Sequence, residues 1–109
     1  MSLLNKNTKL KIKKHALREL PNECCGIIIK KNNEIDVAEC KNVAHNKKEL
    51  FEISPKDYLK ASKTGSIEGY YHSHTENNFD LSGADKAVRI SHKIPLIMYS
   101  VVKDEFMEY

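Results

Sequence analysis

The sequence predicts an α/β domain, a mixed or largely antiparallel sheet with helices packed on it in about three layers. Three observations predict it. Helix-start residues followed by apolar residues at helical spacing stand at Ser54 and Ser82, and a third helical pattern precedes Pro21. Short β-branched and aromatic runs lie between them. Several of these runs are separated by no more than a turn, so they pair as antiparallel neighbours, and the helices must then bury their apolar sides on the sheet. The 109 residues suffice for one domain, spanning 1–109, and are too few for two.

The elements follow in order. Residues 1–8 read as a loose terminus. From Leu10, residues Ile12, Ala16, Leu17 and Leu20 recur at helical spacing among lysines, and Pro21 stops the helix near Leu20. Cys25 to Lys30 is a buried β-branched strand. Lys31-Asn32-Asn33 is a turn, and Ile35 to Cys40 alternates apolar and polar as a strand packed on one face. Asn42 to Lys48 is a polar loop in which His45 reads as a surface histidine. Leu50 to Ile53 is expected as a short strand. Ser54-Pro55-Lys56-Asp57 opens a second helix with an N-cap serine, proline at its first position and a carboxylate in its first turn. Thr64-Gly65-Ser66 ends it.

Ile67 to Tyr71 is then a strand, with His72 and His74 at or just past its end. Ser82-Gly83-Ala84-Asp85 starts a third helix, running from about Gly83 to His92, and Lys93-Ile94-Pro95 breaks it. His92 there suits the helix dipole. Leu96 to Val102 is a strongly apolar, central strand. After a turn at Lys103-Asp104-Glu105, Phe106 to Tyr109 makes an edge strand.

Composition excludes several classes. Hydrophobic residues are 40% and charged residues 30%, as in ordinary soluble domains. No apolar run approaches the roughly 20 residues that span a bilayer, and no signal peptide is evident. The net charge of +3 is modest, and the cluster Lys9, Lys11, Lys13 and Lys14 reads as a solvated helix face before it reads as a nucleic-acid patch. Three cysteines with no Cys-X-X-Cys argue against a disulfide framework and fit a reducing cytoplasm. Each reads as a small buried apolar residue.

Chemistry concentrates between Gly69 and Asp85. Residues two apart on a strand share a face, so His72 and His74 could reach one ion; on a helix they would diverge by about 200°. Asp85, in the first turn of the next helix, could supply a third ligand across a cleft. Three protein ligands leave a position open, as in catalytic zinc sites. A capping box also accounts for Ser82 and Asp85 without any metal, and the two readings are compatible.

The run His72-Ser73-His74, seven residues, Ser82, two residues, Asp85 resembles the signature of the JAMM (MPN+) metallopeptidases, of prokaryotic or phage type. Leu20-Pro21-Asn22-Glu23-Cys24-Cys25-Gly26 resembles the segment in which that family carries its upstream glutamate. The resemblance covers roughly Leu10 to Val102. Thr75 departs from it, since many members carry proline there. The resemblance implies a curved sheet sandwiched by helices, the cytidine-deaminase-like fold, with a zinc ion at one sheet edge held by His72, His74 and Asp85. It implies Glu23 as acid and base, and Ser82 as oxyanion stabiliser. The competing carboxylates are Glu68, Glu76 and Asp80; Glu76 and Asp80 are expected in a loop and less fixed, whereas Glu23 precedes a core strand and is rigidly placed.

The implied activity is hydrolysis of peptide or isopeptide bonds. Relatives cut after the C-terminal glycines of ubiquitin-like or sulfur-carrier proteins, or belong to phage tail-tip assembly proteins. The expected partner is a protein or peptide with an extended tail laid along a sheet edge, with no membrane and no nucleic acid. A non-catalytic scaffold of the same fold is the alternative, and a nucleic-acid-associated protein a further one. Substrate and oligomeric state are not legible.

Overall fold

Alternation along the strands decides which layer each side chain joins. The structure, a computed structural model, describes residues 3–75 and 94–108. Helix α1 (Lys6–Glu19) is followed by strands β1 (Cys25–Lys31) and β2 (Glu34–Cys40), helix α2 (Pro55–Thr64), and strands β3 (Ser66–His74), β4 (Leu96–Ser100) and β5 (Glu105–Glu108). The strands form one sheet in the order β2-β1-β3-β4-β5. Among the described residues only β3 and β4 run parallel; the other neighbours are antiparallel. This is the mixed, largely antiparallel sheet expected.

Two cores lie on its two faces. Cys25, Ile27, Ile29, Tyr70 and Leu96 face Ala61 of α2, with Cys40 and Phe51. Ile28, Tyr71, Ile97 and Tyr99 face Ile12 and Ala16 of α1, with Cys24. The layers are therefore α1, sheet and α2. A register step between Ile28 and Ile29 lets Ile67 and Tyr70 lie in the same core although they are three apart in sequence. The third expected helix, 83–92, lies outside the described residues.

Helix α1 begins earlier than the leucine spacing suggested. Asn5 caps it, its side-chain oxygen accepting from the Thr8 amide at 2.8 Å. Its buried stripe is Thr8, Ile12, His15 and Ala16, whereas Leu10, Leu17 and Leu20 are exposed. Positions 8, 12, 15 and 16 share one helical face, and that face, not the leucines, meets the sheet. Lys11 and Arg18 reach Asp36 and Glu39 of edge strand β2.

The β1–β2 turn has Asn32 and Asn33 both at positive φ, 52° and 64°. A two-residue hairpin requires that conformation, and asparagine tolerates it. Helix α2 starts as expected, with Ser54 accepting from the Asp57 amide and proline in the first turn.

Two expectations are corrected. Leu50 to Ile53 is not a strand, because only Ile53 forms a bridge, to Asn42. The Asn42 side chain takes the Leu50 carbonyl and the Glu52 amide in place of a strand partner. The last apolar strand stops at Ser100, not Val102. Val101 to Asp104 form the turn into β5, closed by Asp104 N–H to Ser100 O at 2.8 Å, and Val102 is exposed. Strand β4 is interior but β3 is the middle strand. As expected, β5 is an edge among the described residues.

Candidate metal centre

The centre is built on the end of the middle strand. His72 and His74 belong to β3 and, two residues apart, point to the α2 side of the sheet with Tyr70. Their rings lie 4.8 Å apart, centre to centre. Behind them in the parallel register stand Met98 opposite His72 and Ser100 opposite His74, both fully buried.

Glu23 arrives from the neighbouring strand. Cys25 pairs with His72, and the ladder continues one step further, Ser73 N–H donating to Cys24 O at 3.1 Å. The Ser73 hydroxyl also accepts from Cys24 N–H at 2.8 Å. With Cys24 held on the α1 side by both bonds, Glu23 falls on the opposite side, beside the imidazoles. One ligand atom from each of Glu23, His72 and His74 can be chosen so that all lie within 4.8 Å of one another. All three residues are buried, at 5%, 0% and 8% exposure.

The donor chemistry fits a divalent metal. Two imidazoles and a carboxylate are ligand types that zinc accepts. Burying three such groups together is costly in the absence of a compensating charge or hydrogen bonds, and a cation supplies that charge. Of the residues singled out from sequence, the fold brings His72, His74 and Glu23 together. Glu68 does not join them. Ser82 and Asp85, like Glu76 and Asp80, lie outside the described residues.

One feature of the centre, Phe51, carries no motif. Phe51 lies flat on His72, with ring centres 4.4 Å apart and planes 16° from parallel. It fixes the imidazole's plane and excludes water from that side; from sequence it is merely an apolar residue in a short run. Ser73, the middle residue of the His72-Ser73-His74 run, ties β3 to β1 at the site. Just past β3, Thr75 donates its hydroxyl towards Lys48 O at 3.4 Å.

The thiols do not compete as nucleophiles. Burial pushes Cys24 up to about 12, and raises Cys25 further. The Cys25 thiol points at the carbonyl of Lys41, 3.6 Å away. A thiol so far above neutrality supplies almost no thiolate.

An α/β domain whose middle strand presents two buried imidazoles to a buried glutamate defines a candidate metal-binding domain. The family model for prokaryotic homologs of the JAB domain matches residues 5–108, so the chain belongs to that family. It is similar to "Tail tip assembly protein K" of Escherichia phage N15, with 36% identity over 73 residues. That match covers 67% of this chain and only 30% of the phage protein's length. Its fold is shared with protein DSY2949 from Desulfitobacterium hafniense, solved in solution, at a TM-score of 0.74 and 22% identity, covering 95% of this chain and 78% of the other. No helix among the described residues is long and apolar enough to cross a membrane.

Proposed function

We propose that the chain is a zinc-dependent peptidase or isopeptidase domain that acts in phage tail-tip assembly. The observation that carries this reading is the convergence of Glu23, His72 and His74 in one buried group. The similarity to a tail-tip assembly protein supports the setting, and favours it over processing of a sulfur-carrier protein.

In this reading His72 and His74 hold the ion, and Asp85 completes the set from the sequence motif. When bound, zinc supplies Lewis acidity that polarises a carbonyl and acidifies water. Glu23 takes a proton from the attacking water and returns it to the leaving amine. Its burial beside the imidazoles limits competing solvent, and its placement at the start of β1 keeps it within reach of both events. Ser82 donates to the oxyanion; loss of such a donor costs about 2.7–4 kcal/mol of transition-state stabilisation. The substrate is a protein with an extended tail, read mostly through its backbone.

Zinc content and cleavage together test the proposal. Protein purified without chelator should carry about one zinc per chain by elemental analysis, lost in His72→Ala. A peptide library incubated with the protein and analysed by mass spectrometry should show cleavages that vanish in Glu23→Gln while zinc remains. Zinc retained with no cleavage in the wild type would favour the non-catalytic scaffold. Full cleavage by Glu23→Gln would remove the proposed base.

A further inference from the structure

We propose that Asn42 is the positioning residue of this centre, setting Glu23 and Phe51 against His72 through one saturated side-chain amide. Its Nδ2 donates to the Glu23 carbonyl and to the Leu50 carbonyl, each at 2.9 Å. Its Oδ1 accepts from the Ala44 and Glu52 amides, each at 3.0 Å. An asparagine side chain offers two donor hydrogens and two acceptor lone pairs, and all four are used. Two carbonyls face one end and two N–H groups the other, so only one orientation of the amide satisfies the set.

The four partners are not equivalent. Ala44 and Glu52 lie on the two arms of the loop that follows β2, and Leu50 immediately precedes Phe51. Asn42 therefore closes that loop on itself and fixes the backbone on both sides of the ring that stacks on His72. The Glu23 carbonyl belongs to a different segment. Glu23 also donates its own N–H to Lys47 O at 2.7 Å, in the same loop. The backbone of Glu23 is thus gripped at both ends by the loop that carries Phe51. A shift of this loop would move the carboxylate and the aromatic wall together. The two arms are also closed by backbone bonds, Val43 N–H to Glu52 O at 2.8 Å and Ser54 N–H to Lys41 O at 3.0 Å, but the tie from these arms to the Glu23 carbonyl is made by the Asn42 side chain. The purpose assigned to Asn42 rests on the metal-centre reading, but its positioning is readable without any metal.

The test uses the whole chain and NMR with amide hydrogen exchange. Asn42→Asp keeps both acceptor bonds and removes both donor bonds. It should leave the Ala44 and Glu52 amides protected, and speed exchange of the Glu23 amide at least 10-fold. The His72 ring protons, shifted upfield by the stacked Phe51, should move downfield. Asn42→Ala should also release the Ala44 and Glu52 amides. In both variants the amides of Ile12 in α1 and Ile28 in β1 should keep their protection, which a general loss of stability would not allow. Zinc affinity, measured by competition with a chelating dye, should fall about 10-fold, the scale of lost supporting contacts around a metal site. Unchanged Glu23 exchange and His72 shifts in Asn42→Asp would overturn the proposal, as would a uniform loss of protection throughout the chain. Should Asn42→Ala not fold, Asn42→Asp decides alone. A wild type that binds no zinc, with variants that show the predicted exchange pattern, would sink the metal reading and leave the positioning role standing.

Discussion

Gly26→Ala is a sharp test of how β1 and β3 are locked together. Gly26 pairs with Tyr71 across the strands, and the Tyr71 ring lies over it. A Cβ at position 26 would fall far inside van der Waals contact with Cε1, Cζ and Oη of that ring. The ring cannot swing away freely, because it is fully buried and its hydroxyl lies 2.7 Å from His15 Nδ1. Overpacking of this kind costs about 1–3 kcal/mol. Breaking the buried tyrosine–histidine bond adds about 1–3 kcal/mol. Restricting the unfolded chain returns about 0.4–1 kcal/mol. The net is a destabilisation on the order of 1–5 kcal/mol, centred on about 3 kcal/mol, a fall in Tm of roughly 15 °C at that centre for a domain of this size. Urea denaturation of wild type, Gly26→Ala, Tyr71→Ala and the double variant would measure it. With the ring gone, the alanine should cost almost nothing, so the cycle should show strong coupling. A loss below about 1 kcal/mol in the single variant, or the same loss in the Tyr71→Ala background, would refute the reasoning.

Other outcomes follow from the same geometry. Burial holds the His15 pKa below the usual histidine value, with Glu39 opposing the shift. The unfolded chain therefore binds the extra proton first, and the contribution present above pH 6.5 is lost as pH falls towards the lowered folded value. The stability-versus-pH curve should be flatter there in His15→Gln; an identical slope would show that His15 does not carry it. Burial also pushes Cys24 and Cys40 up to about 12, and raises Cys25. At pH 8 an aromatic disulfide reagent should label no thiol until the protein unfolds, and rapid labelling of any one would contradict the packing. Phe51→Ala should cost about 3 kcal/mol in denaturant unfolding, the low end for a buried phenylalanine because one side of the ring is on a histidine. A cost under about 1 kcal/mol would mean that the stacked ring is dispensable.

Much of the centre was legible because strand periodicity is simple. Two histidines separated by one residue on a strand must share a face, whatever surrounds them. Glu23 was legible from its place before a buried strand. The faces of α1 were not. Leucines and lysines alternate there so closely that more than one apolar stripe can be drawn, and burial of Thr8 and His15 depends on the sheet residues they meet. His15 is accommodated because Tyr71 offers it a hydrogen bond, a pairing 56 residues distant in the chain. The segment 50–53 has the apolar content of a strand, but apolar content alone does not provide a pairing partner. What holds it is the Asn42–Ile53 bridge and the Val43 N–H to Glu52 O bond, together with the four bonds of the Asn42 side chain, which reach as far as Glu23, 19 residues away.

Strand β3 assigns its duties by parity. Tyr71 and Ser73 serve the side of the sheet that carries α1, while His72 and His74 serve the other. Selection can therefore act on chemistry and on architecture almost independently, at adjacent positions of one strand. A lineage could exchange its imidazoles for inert residues and keep its scaffold, or repack beneath α1 and keep its candidate metal centre. A single inserted residue in that strand would do neither: it would hand each set of side chains to the wrong compartment.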